Sequence, residues 1–391
     1  MNVLHIVEAN KNRFWGLGSS VFAIVSALNK FHGGNIHILT TEMHDGNDMV
    51  EYAHEKWLYF HRDDGITPLK LSKSTYHHIE PSKYDCYHIH GLWLHANHKT
   101  CRIARQQHKP YLVTPHGMLY PETLRRSYWK KWILLNVWFK KDILSASCLH
   151  ATCVKEMRLL REFGYGGPIA VIGNPVADNK YIPEICRLRE SYVSEGHMNK
   201  NHRIGFLGRL HPRKNVEAIM RGMAIAHHRN DIELVVMGAG EPAYEEFLRG
   251  EAKRLGVEKQ VEFAGFVSGE DKFRRLAELS ALFVPSDMEN FGMIVPEALL
   301  VGTPVMASLG TPWKDLEDYN CGWWRDNSPE SIAKVIDEVA ETSPDELLRM
   351  GMRGRELVLD KYESSKVAAK MLKLYSWLLG QGPKPEFVYL S

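Results

Sequence analysis

Short apolar runs alternate with longer amphipathic stretches through the first half of the chain. An amphipathic helix is predicted at about residues 19–31, and strands are predicted at residues 3–7, 36–40, 86–89, 111–114, 148–152 and 169–172. Parallel strands that are covered on both faces show such continuous apolar runs. The pattern therefore predicts βαβ units that build a mostly parallel sheet with helices on both faces.

The pattern lapses near residue 174 and resumes near residue 203. The polar segment from Asn174 to about His202 is interpreted as a domain linker. Further strands are predicted at residues 203–207, 233–237, 261–263, 282–284 and 304–307, with helices beginning near Asn215, Tyr244, Glu270 and Met293. The second half is therefore expected to form another doubly wound α/β unit, which gives domains at residues 1–178 and 203–365.

The last helical stretch, residues 366–391, has one apolar face. Its apolar residues recur at helical spacing and are Val367, Met371, Leu374, Tyr375 and Leu378. Gly380 follows where a C-cap glycine is expected. Because a stripe of this length has to be buried, the helix is predicted to pack on another part of the protein.

Length and composition indicate a globular protein of two domains. The chain has 391 residues, of which 44% are hydrophobic and 25% charged. The 49 Lys and Arg residues nearly balance the 47 Asp and Glu residues, so no global field favours a nucleic acid. Six cysteines without a Cys-x-x-Cys pair argue against a disulfide framework and a zinc ribbon, which fits a reducing cytoplasm.

The N-terminus and the longest apolar stretch are the two candidates for a targeting or membrane-spanning segment. The N-terminus is interpreted as a first strand and not as a signal peptide. Residues 132–139 are too few for a membrane-spanning helix. A cytoplasmic location is expected, with at most a peripheral position on the membrane.

Residues 286–297, Ser-Asp-Met-Glu-Asn-Phe-Gly-Met-Ile-Val-Pro-Glu, place two carboxylates across a Phe-Gly turn. Because the proline is tolerated only in a first helical turn, the helix should begin near Met293 and leave Glu289 on the loop before it. Gly292 lets the backbone approach a ligand, and N–H groups at the helix start can bind phosphate. Glu289 and Glu297 would then bind hydroxyl groups; the alternative is two solvated acids.

Residues 208–215, Gly-Arg-Leu-His-Pro-Arg-Lys-Asn, directly follow a predicted strand. Arg209 and Lys214 would stand at the carboxyl edge of a parallel sheet, where open α/β folds bind ligands. Two cations at that edge suit a diphosphate. The alternative is a solvated basic turn, which is the preferred interpretation for Arg213.

These two segments together resemble the family 4 retaining glycosyltransferases of the GT-B fold. The shared pattern is a strand with Gly-Arg-Leu-x3-Lys-Asn, followed some 75 residues later by Glu-Asn-Phe-Gly-x4-Glu. Residues 15–18, the histidine of Thr114-Pro-His-Gly-Met118 and residues 151–156 are also similar to family motifs. The resemblance implies two Rossmann-like domains that face a cleft and a C-terminal helix, within 366–391, that returns to the first domain.

The resemblance also implies roles for residues at matching positions. Arg209 and Lys214 would hold the diphosphate, Glu289 and His116 would meet the donor sugar, and Glu297 would hold the ribose. Further donor-binding residues would be Gly208, Asn290, Phe291, Gly292, Met293, Ile294, Phe266 and Val267. Cations and a helix N-terminus at the leaving group would make a metal unnecessary.

The acceptor side is expected in the first domain. The resemblance and the position after predicted strands place Gly16, Gly18, His90 and Trp93 there. Fifteen of the 20 histidines lie in residues 1–150, so a zinc site is conceivable. It is not favoured, because no acid or thiol cluster accompanies the histidines. No metal or other cofactor is expected.

The segment Gly238-Ala-Gly-Glu-Pro-Ala243 matches the Gly-x-Gly-x-x-Ala pattern of dinucleotide sites. Dinucleotide binding is disfavoured because Glu241 would face a pyrophosphate and Pro242 would remove an N–H donor. A loop of this type also occurs at the same place in the family that the chain resembles.

Residues 128–141 combine aromatic and basic side chains at helical spacing. At 100° per residue, one face is uncharged and consists of Tyr128, Trp129, Trp132, Leu135 and Phe139, whereas Lys130, Lys131, Lys140 and Lys141 occupy the other half. This mixture is found in helices that lie on anionic bilayers. The alternative is a core helix with a solvated basic side.

The sequence therefore predicts a metal-independent retaining transferase that uses a UDP- or GDP-linked sugar. The acceptor would be a glycan or a polyprenyl-linked lipid in cell-surface polysaccharide synthesis, and the enzyme would lie in the cytoplasm or on the inner face of the membrane. Two alternatives stay open: a sugar-nucleotide epimerase of the same fold, and a catalytically silent nucleotide-sugar-binding subunit.

Overall fold

The computed structural model describes residues 1–7, 15–33, 35–41, 55–61, 82–125, 127–176, 182–196 and 202–390. The chain divides into two compact units. The first unit consists of Met1–Pro175 and Ser364–Ser391, and the second of Val176–Glu363. Each unit is an α/β structure around its own sheet.

Eight strands of the first unit form one sheet. They are β1 Asn2–Ile6, β2 Asn35–Thr41, β3 Leu58–His61, β4 Cys86–His90, β5 Tyr111–Thr114, β6 Cys148–Ala151, β7 Ile169–Val171 and β14 Val388–Tyr389. The order across the sheet is β14-β7-β6-β5-β4-β1-β2-β3, and only the β14–β7 pair is antiparallel. The predicted strand positions are confirmed to within one residue at most ends.

Helices cover both faces of this sheet. They are Trp15–His32, His95–Gln106, Pro121–Arg125, Tyr128–Leu134, Lys140–Leu144, Val154–Glu162 and Ser364–Leu378, with a π-helical stretch at Leu135–Phe139. Because side chains alternate along a strand, neighbouring strand residues enter different cores. Val3 packs with the helices Trp15–His32 and Ser364–Leu378, whereas Leu4 belongs to the core on the opposite face.

The predicted apolar stripe of the last helix is buried. Val367, Met371, Leu374 and Tyr375 are at most 1% exposed and join the same core as Val3. Gly380 has a φ of 69°, the left-handed conformation of a C-cap glycine.

Six strands of the second unit form a wholly parallel sheet. They are β8 His202–Leu207, β9 Ile232–Met237, β10 Val261–Gly265, β11 Ala281–Val284, β12 Val305–Ser308 and β13 Gly322–Arg325. The strand order is β10-β9-β8-β11-β12-β13. Successive strands are added on one side of β8 as far as β10, and on its other side from β11 to β13, so the order reverses between β8 and β11. The helices of this unit are Ile182–Ser194, Val216–Ile225, Pro242–Arg254, Gly269–Ala277, Ile294–Val301, Asp315–Asp318, Pro329–Glu341 and Pro344–Lys361.

The segment interpreted as a linker contains the helix Ile182–Ser194, which belongs to the second unit. Its buried Arg189 donates hydrogen bonds to the carbonyl oxygens of Ala277 and Leu279, at the end of a neighbouring helix. Burial lowers the pKa of Arg189 to about 10. The polar sequence therefore belongs to a helix whose charged residue satisfies buried carbonyl groups.

Candidate functional site

The two motif loops of the second unit follow β8 and β11, the strands between which the sheet order reverses. In open α/β sheets, ligands bind at the carboxyl ends of strands at such a switch point. The backbone N–H of Asp287 donates to the carbonyl oxygen of Arg213 at 3.0 Å, which joins the two loops. The position that the sequence predicts for this site is therefore a physically suitable one.

The side chains of Lys214 and Glu289 meet across these loops. Lys214 Nζ donates to Glu289 Oε1, and Ser286 Oγ donates to the same oxygen at 2.8 Å. Both side chains keep some contact with solvent, at 29% for Lys214 and 14% for Glu289. The structure thus brings together two residues that lie 75 positions apart and that the sequence assigned to one site.

The loop between Glu289 and the following helix is held by an aromatic cluster. Phe291 is buried, and its ring lies 5.2 Å from that of Trp313 and 5.4 Å from that of Tyr362. Trp313 Nε1 donates to the carbonyl oxygen of Phe291, and Gly292 has a φ of 77°. The side chain of Phe291 therefore serves packing, which leaves only its backbone for the predicted ligand contact.

The helix Ile294–Val301 begins one residue after Met293, as predicted. Glu297 lies in its first turn, and its Oε1 is 2.9 Å from Lys272 Nζ on the helix Gly269–Ala277. Sequence reasoning missed Lys272 because nothing local shows that its helix packs beside the one that carries Glu297. The pairing adds Lys272 to the cations of this region.

Other donor-side candidates lie at the carboxyl ends of the strands. Gly208 and Arg209 directly follow β8, and the Arg209 side chain is exposed. Phe266 and Val267 directly follow β10, and Phe266 is 63% exposed. An exposed aromatic ring at this edge offers a flat apolar face. Asn290 lies between Glu289 and Phe291 and is partly exposed.

The Gly238 loop has a packing reason for its glycines. A Cβ atom on Gly238 would lie 1.9 Å from the carbonyl oxygen of Gly208, and one on Gly240 would lie 2.2 Å from that of Leu210. The Gly240 N–H donates to Glu245 Oε1 at 2.7 Å. The glycines permit close contact with the loop after β8.

His116 lies in the first unit, directly after β5, and has a φ of 52°. The next residue, Gly117, donates its N–H to Glu156 Oε1 at 2.7 Å, and Thr152 donates to Glu156 Oε2 from its backbone and its hydroxyl. Glu156 is buried. It therefore fixes the loop that holds His116 in a left-handed conformation, a role that the sequence did not show.

His90 differs from the expectation that it contacts an acceptor. Its ring is 1% exposed, with Nε2 bonded to His5 Nδ1 at 2.9 Å and Nδ1 bonded to His116 Nε2 at 3.1 Å. Both nitrogens are thus occupied inside the protein. Side chains alternate along a strand, so His88 and His90 of β4 share one face, but only the sheet order brings His5 beside them.

The other acceptor-side candidates are only partly described. Gly16 and Gly18 lie in the first turn of the helix Trp15–His32, and the residues that join this helix to β1 lie outside the described residues. Trp93 is partly buried and its ring contacts that of Phe139 at 5.5 Å.

One histidine group in the described residues brings its nitrogens within 4.8 Å of one another: His5, His88 and His90. These rings are buried, and all their nitrogens already take part in hydrogen bonds with side chains. The geometry is therefore that of a hydrogen-bonded cluster.

The aromatic and basic segment differs from the ideal helical wheel. Its π-helical stretch Leu135–Phe139 interrupts the 100° rotation. Phe139 is buried, and Leu135 packs on the core. Tyr128, Trp129 and Trp132 of the predicted face are exposed, at 50%, 73% and 48%, and Ile133 and Val137 are exposed with them, at 53% and 63%. The outward face is therefore shifted from the predicted one.

None of the helices in the described part of the chain has the length and apolar character needed to cross a lipid bilayer.

Two family models match the chain: Glycosyltransferase Family 4 at residues 15–180 and Glycosyl transferases group 1 at residues 189–357. An uncharacterized glycosyltransferase of Methanocaldococcus jannaschii is 29% identical over 178 residues, 44% of this chain and 43% of that protein. A phosphatidyl-myo-inositol mannosyltransferase of Mycobacterium tuberculosis is 25% identical over 197 residues, 49% of this chain and 51% of that protein. The chain thus matches about half the length of these relatives.

A solved structure extends the similarity to the whole chain. The structure of HepE from Anabaena in complex with UDP-glucose has a TM-score of 0.72 and 18% identity, and the match covers 96% of this chain and 100% of that chain. At this identity, the match concerns the fold. The two family models show that the chain belongs to the group 1 glycosyltransferases of family 4, and the structural match shows that it has the GT-B fold.

Proposed function

We propose that the protein is a retaining, metal-independent glycosyltransferase that uses a UDP- or GDP-linked sugar. Its acceptor is a glycan or a lipid-linked glycan of a cell-surface polysaccharide, and it works in the cytoplasm at the inner face of the membrane. Family membership and the UDP-glucose bound to the structural neighbour HepE support the donor class. The relative named as a phosphatidyl-myo-inositol mannosyltransferase supports a lipid-linked acceptor.

The observation that carries this proposal is the contact of Lys214 with Glu289 at the switch point of the second sheet. A partly exposed ion pair contributes roughly 1 kcal/mol or less, so it opens at little cost. An incoming diphosphate can replace the carboxylate as the partner of Lys214. Glu289 is then free to accept a hydrogen bond from a sugar hydroxyl beside the phosphate.

The remaining roles follow from charge and position. Arg209 and Lys214 neutralise the leaving diphosphate, and N–H groups at the start of the helix Ile294–Val301 add to this stabilisation. Glu297 binds the ribose, and Phe266 borders the base. His116 binds a hydroxyl of the donor sugar. Because cations and a helix N-terminus stabilise the leaving group, the proposed mechanism needs no metal ion.

Ligand binding is tested by thermal unfolding with UDP, GDP, ADP and NAD in EDTA. A ligand at about 100 times its Kd stabilises by about 2.7 kcal/mol, which raises Tm by a few degrees. UDP or GDP should raise Tm for wild type and for Arg213→Ala, an adjacent exposed arginine that serves as the charge-matched control. Lys214→Ala should lose most of the shift. A shift with NAD alone would contradict the proposal.

Turnover is tested with UDP- and GDP-sugars and a lipid-linked acceptor extract, by release of nucleotide in EDTA. Glu289→Gln should bind nucleotide like wild type and lose at least about a hundredfold in turnover, as expected when a polar group acts in the transition state. Retention is read from the anomeric configuration of the product. Binding without turnover for any donor in wild type would indicate a silent subunit, and a changed free sugar nucleotide an epimerase.

The exposed face of residues 128–141 supports the proposed membrane position. Trp129, Ile133 and Val137 recur every fourth residue, and Lys130, Lys140 and Lys141 are exposed in the same segment. Apolar side chains can enter the lipid boundary while the lysines bind anionic headgroups. The proposed occupant of this face is therefore an anionic bilayer.

A further inference from the structure

A chain of hydrogen bonds crosses the first unit from the carbonyl of Ile172 to His116. His150 Nε2 is 2.8 Å from the Ile172 carbonyl oxygen, and His150 Nδ1 is 2.9 Å from Thr114 Oγ1. Thr114 Oγ1 is also 2.7 Å from His88 Nε2. The first half of this hydrogen-bond chain thus runs across β6, β5 and β4.

The second half of the hydrogen-bond chain passes through Tyr375 of the C-terminal helix. His88 Nδ1 is 2.8 Å from Tyr375 Oη, which is 3.0 Å from His5 Nε2. His5 Nδ1 is 2.9 Å from His90 Nε2, and His90 Nδ1 is 3.1 Å from His116 Nε2. Every ring between the two ends is bonded through both of its nitrogens.

The strands explain why these side chains meet. The order β6-β5-β4-β1 places four strands side by side, and β1 pairs with β4 so that His5 lies beside His88. The strand residues of the hydrogen-bond chain follow apolar residues of the same face by two positions. His5 follows Val3, and His150 follows Cys148. They therefore lie at the carboxyl end of the sheet, under the helix that carries Tyr375.

The direction of every bond follows from one anchor. A carbonyl oxygen only accepts, so the proton of His150 is on Nε2 and its Nδ1 accepts from the single hydroxyl proton of Thr114. Thr114 Oγ1 then accepts from Nε2–H of His88, whose Nδ1 accepts from Tyr375. By the same rule His5 carries its proton on Nε2.

The two remaining rings follow in the same way. Nδ1 of His5 accepts from Nε2–H of His90, whose Nδ1 accepts from Nε2–H of His116. The argument requires neutral rings. Burial lowers the pKa of His5 and His116 to about 3 and that of His150 to about 4, and it lowers the pKa of His88 and His90 well below 6.5. These five histidine rings are therefore neutral at physiological pH.

We propose that this chain fixes His116 as the tautomer with its proton on Nε2 and presents Nδ1 to a ligand only as a hydrogen-bond acceptor. The ligand group is a hydroxyl, because a bare nitrogen attracts an O–H donor and repels a phosphate or carbonyl oxygen. That this hydroxyl belongs to the donor sugar rests on the proposed function. Tyr375 and His90 are positioning residues that act through His116.

The test is ¹⁵N NMR of the full-length protein labelled in histidine, with assignment by single His→Gln variants. A protonated and a bare ring nitrogen differ strongly in ¹⁵N shift, so the spectrum reports the tautomer without any ligand. Wild type should show His116 with a bare Nδ1 and a protonated Nε2 from pH 5 to 8. A proton on Nδ1, or protonation of both nitrogens in this range, would overturn the proposal.

Variants test the coupling between the rings. Tyr375→Phe removes one hydroxyl from the chain and should convert His5, His90 and His116 from one tautomer to a mixture. His90→Leu should do the same for His116, whereas His90→Gln, which keeps a donor and an acceptor, should restore the wild-type shift. A single unchanged tautomer at His116 in both Tyr375→Phe and His90→Leu would refute the coupling.

A metal ion and the proposed function are tested separately. Addition of Zn²⁺ should leave the nitrogen shifts of His5, His88 and His90 unchanged; a zinc-dependent change would show that the cluster is a metal site. With a donor sugar, kcat/KM should fall roughly tenfold in His90→Leu and recover in His90→Gln, as for the loss of one hydrogen bond. Absence of turnover in wild type with the expected tautomer would refute the transferase proposal and leave the tautomer assignment intact.

Discussion

The buried histidines predict that acid destabilises the first unit. His5, His88, His90 and His150 are at most 1% exposed, and burial holds the pKa of each below its usual value. The additional interactions that lower these pKa values come from other histidines of the cluster. When the unit unfolds, the rings enter water and regain a pKa near 6.5. Below that pH the unfolded chain binds more protons than the folded one.

The magnitude follows from linkage. A ring that stays neutral when folded, with an unfolded pKa of about 6.5, lowers stability by about 0.1 kcal/mol at pH 7.5 and by about 1.4 kcal/mol at pH 5.5. The four rings together predict a loss of about 5 kcal/mol between these two pH values. Stability is thus retained above pH 6.5 and lost as the pH falls towards the folded pKa values. This loss is comparable to the whole stability of many domains.

The assay is urea unfolding at pH 7.5, 6.5 and 5.5, followed by brief proteolysis and mass spectrometry of peptides from each unit. Peptides from β1, β4 and β6 report the first unit, and those from β8 and β9 provide an internal comparison. His88→Gln should reduce the loss between pH 7.5 and 5.5 by about 1.3 kcal/mol. His108→Asn, which replaces an exposed histidine of the same unit, should keep the wild-type loss.

Two results would refute this reasoning. One is a change in the unfolding free energy of the first unit below about 1 kcal/mol between pH 7.5 and 5.5. The other is an unchanged pH dependence in His88→Gln. The first result would mean that the rings bind protons in the folded protein as they do in the unfolded chain, and the second would mean that His88 does so.

Two further predictions concern the membrane face and the glycine loop. Ile133→Ser should weaken binding to anionic vesicles roughly tenfold in co-sedimentation, because the lost apolar burial is about 1.4 kcal/mol. Ile225, on the other unit, is equally exposed at 53%, and the control variant Ile225→Ser should bind like wild type. Equal losses of vesicle binding in both variants would argue against a specific face. Gly238→Ala should lower the unfolding free energy of the second unit by about 3 kcal/mol, because its Cβ would lie 1.9 Å from the Gly208 carbonyl oxygen. Gly250→Ala, in an open position of a helix, should instead stabilise by about 0.5–1 kcal/mol, and similar urea midpoints for the two variants would contradict the packing argument.

The sequence by itself determined most strands of the two sheets and the start of the helix that carries Glu297. Apolar runs predicted β5 at residues 111–114 without error, and a proline in the first turn predicted the helix start beside Met293. The end of a predicted strand also placed Arg209 and Lys214 at the carboxyl edge of a parallel sheet. These features are local, since periodicity and proline geometry act within a few residues.

Tertiary structure decided which of these elements meet. The histidines of β1, β4 and β6 and Tyr375 come from positions up to 370 residues apart, and only the sheet order and the packing of the last helix bring them together. The polar sequence of the helix Ile182–Ser194 suggested a linker. Its Arg189 is buried because it binds carbonyl oxygens far away in the sequence, which the local pattern does not show. The π-helical stretch Leu135–Phe139 changed which face of its helix is exposed. Local patterns set the type of most elements, whereas burial, partner choice and hydrogen-bond direction depend on contacts between residues far apart in the chain.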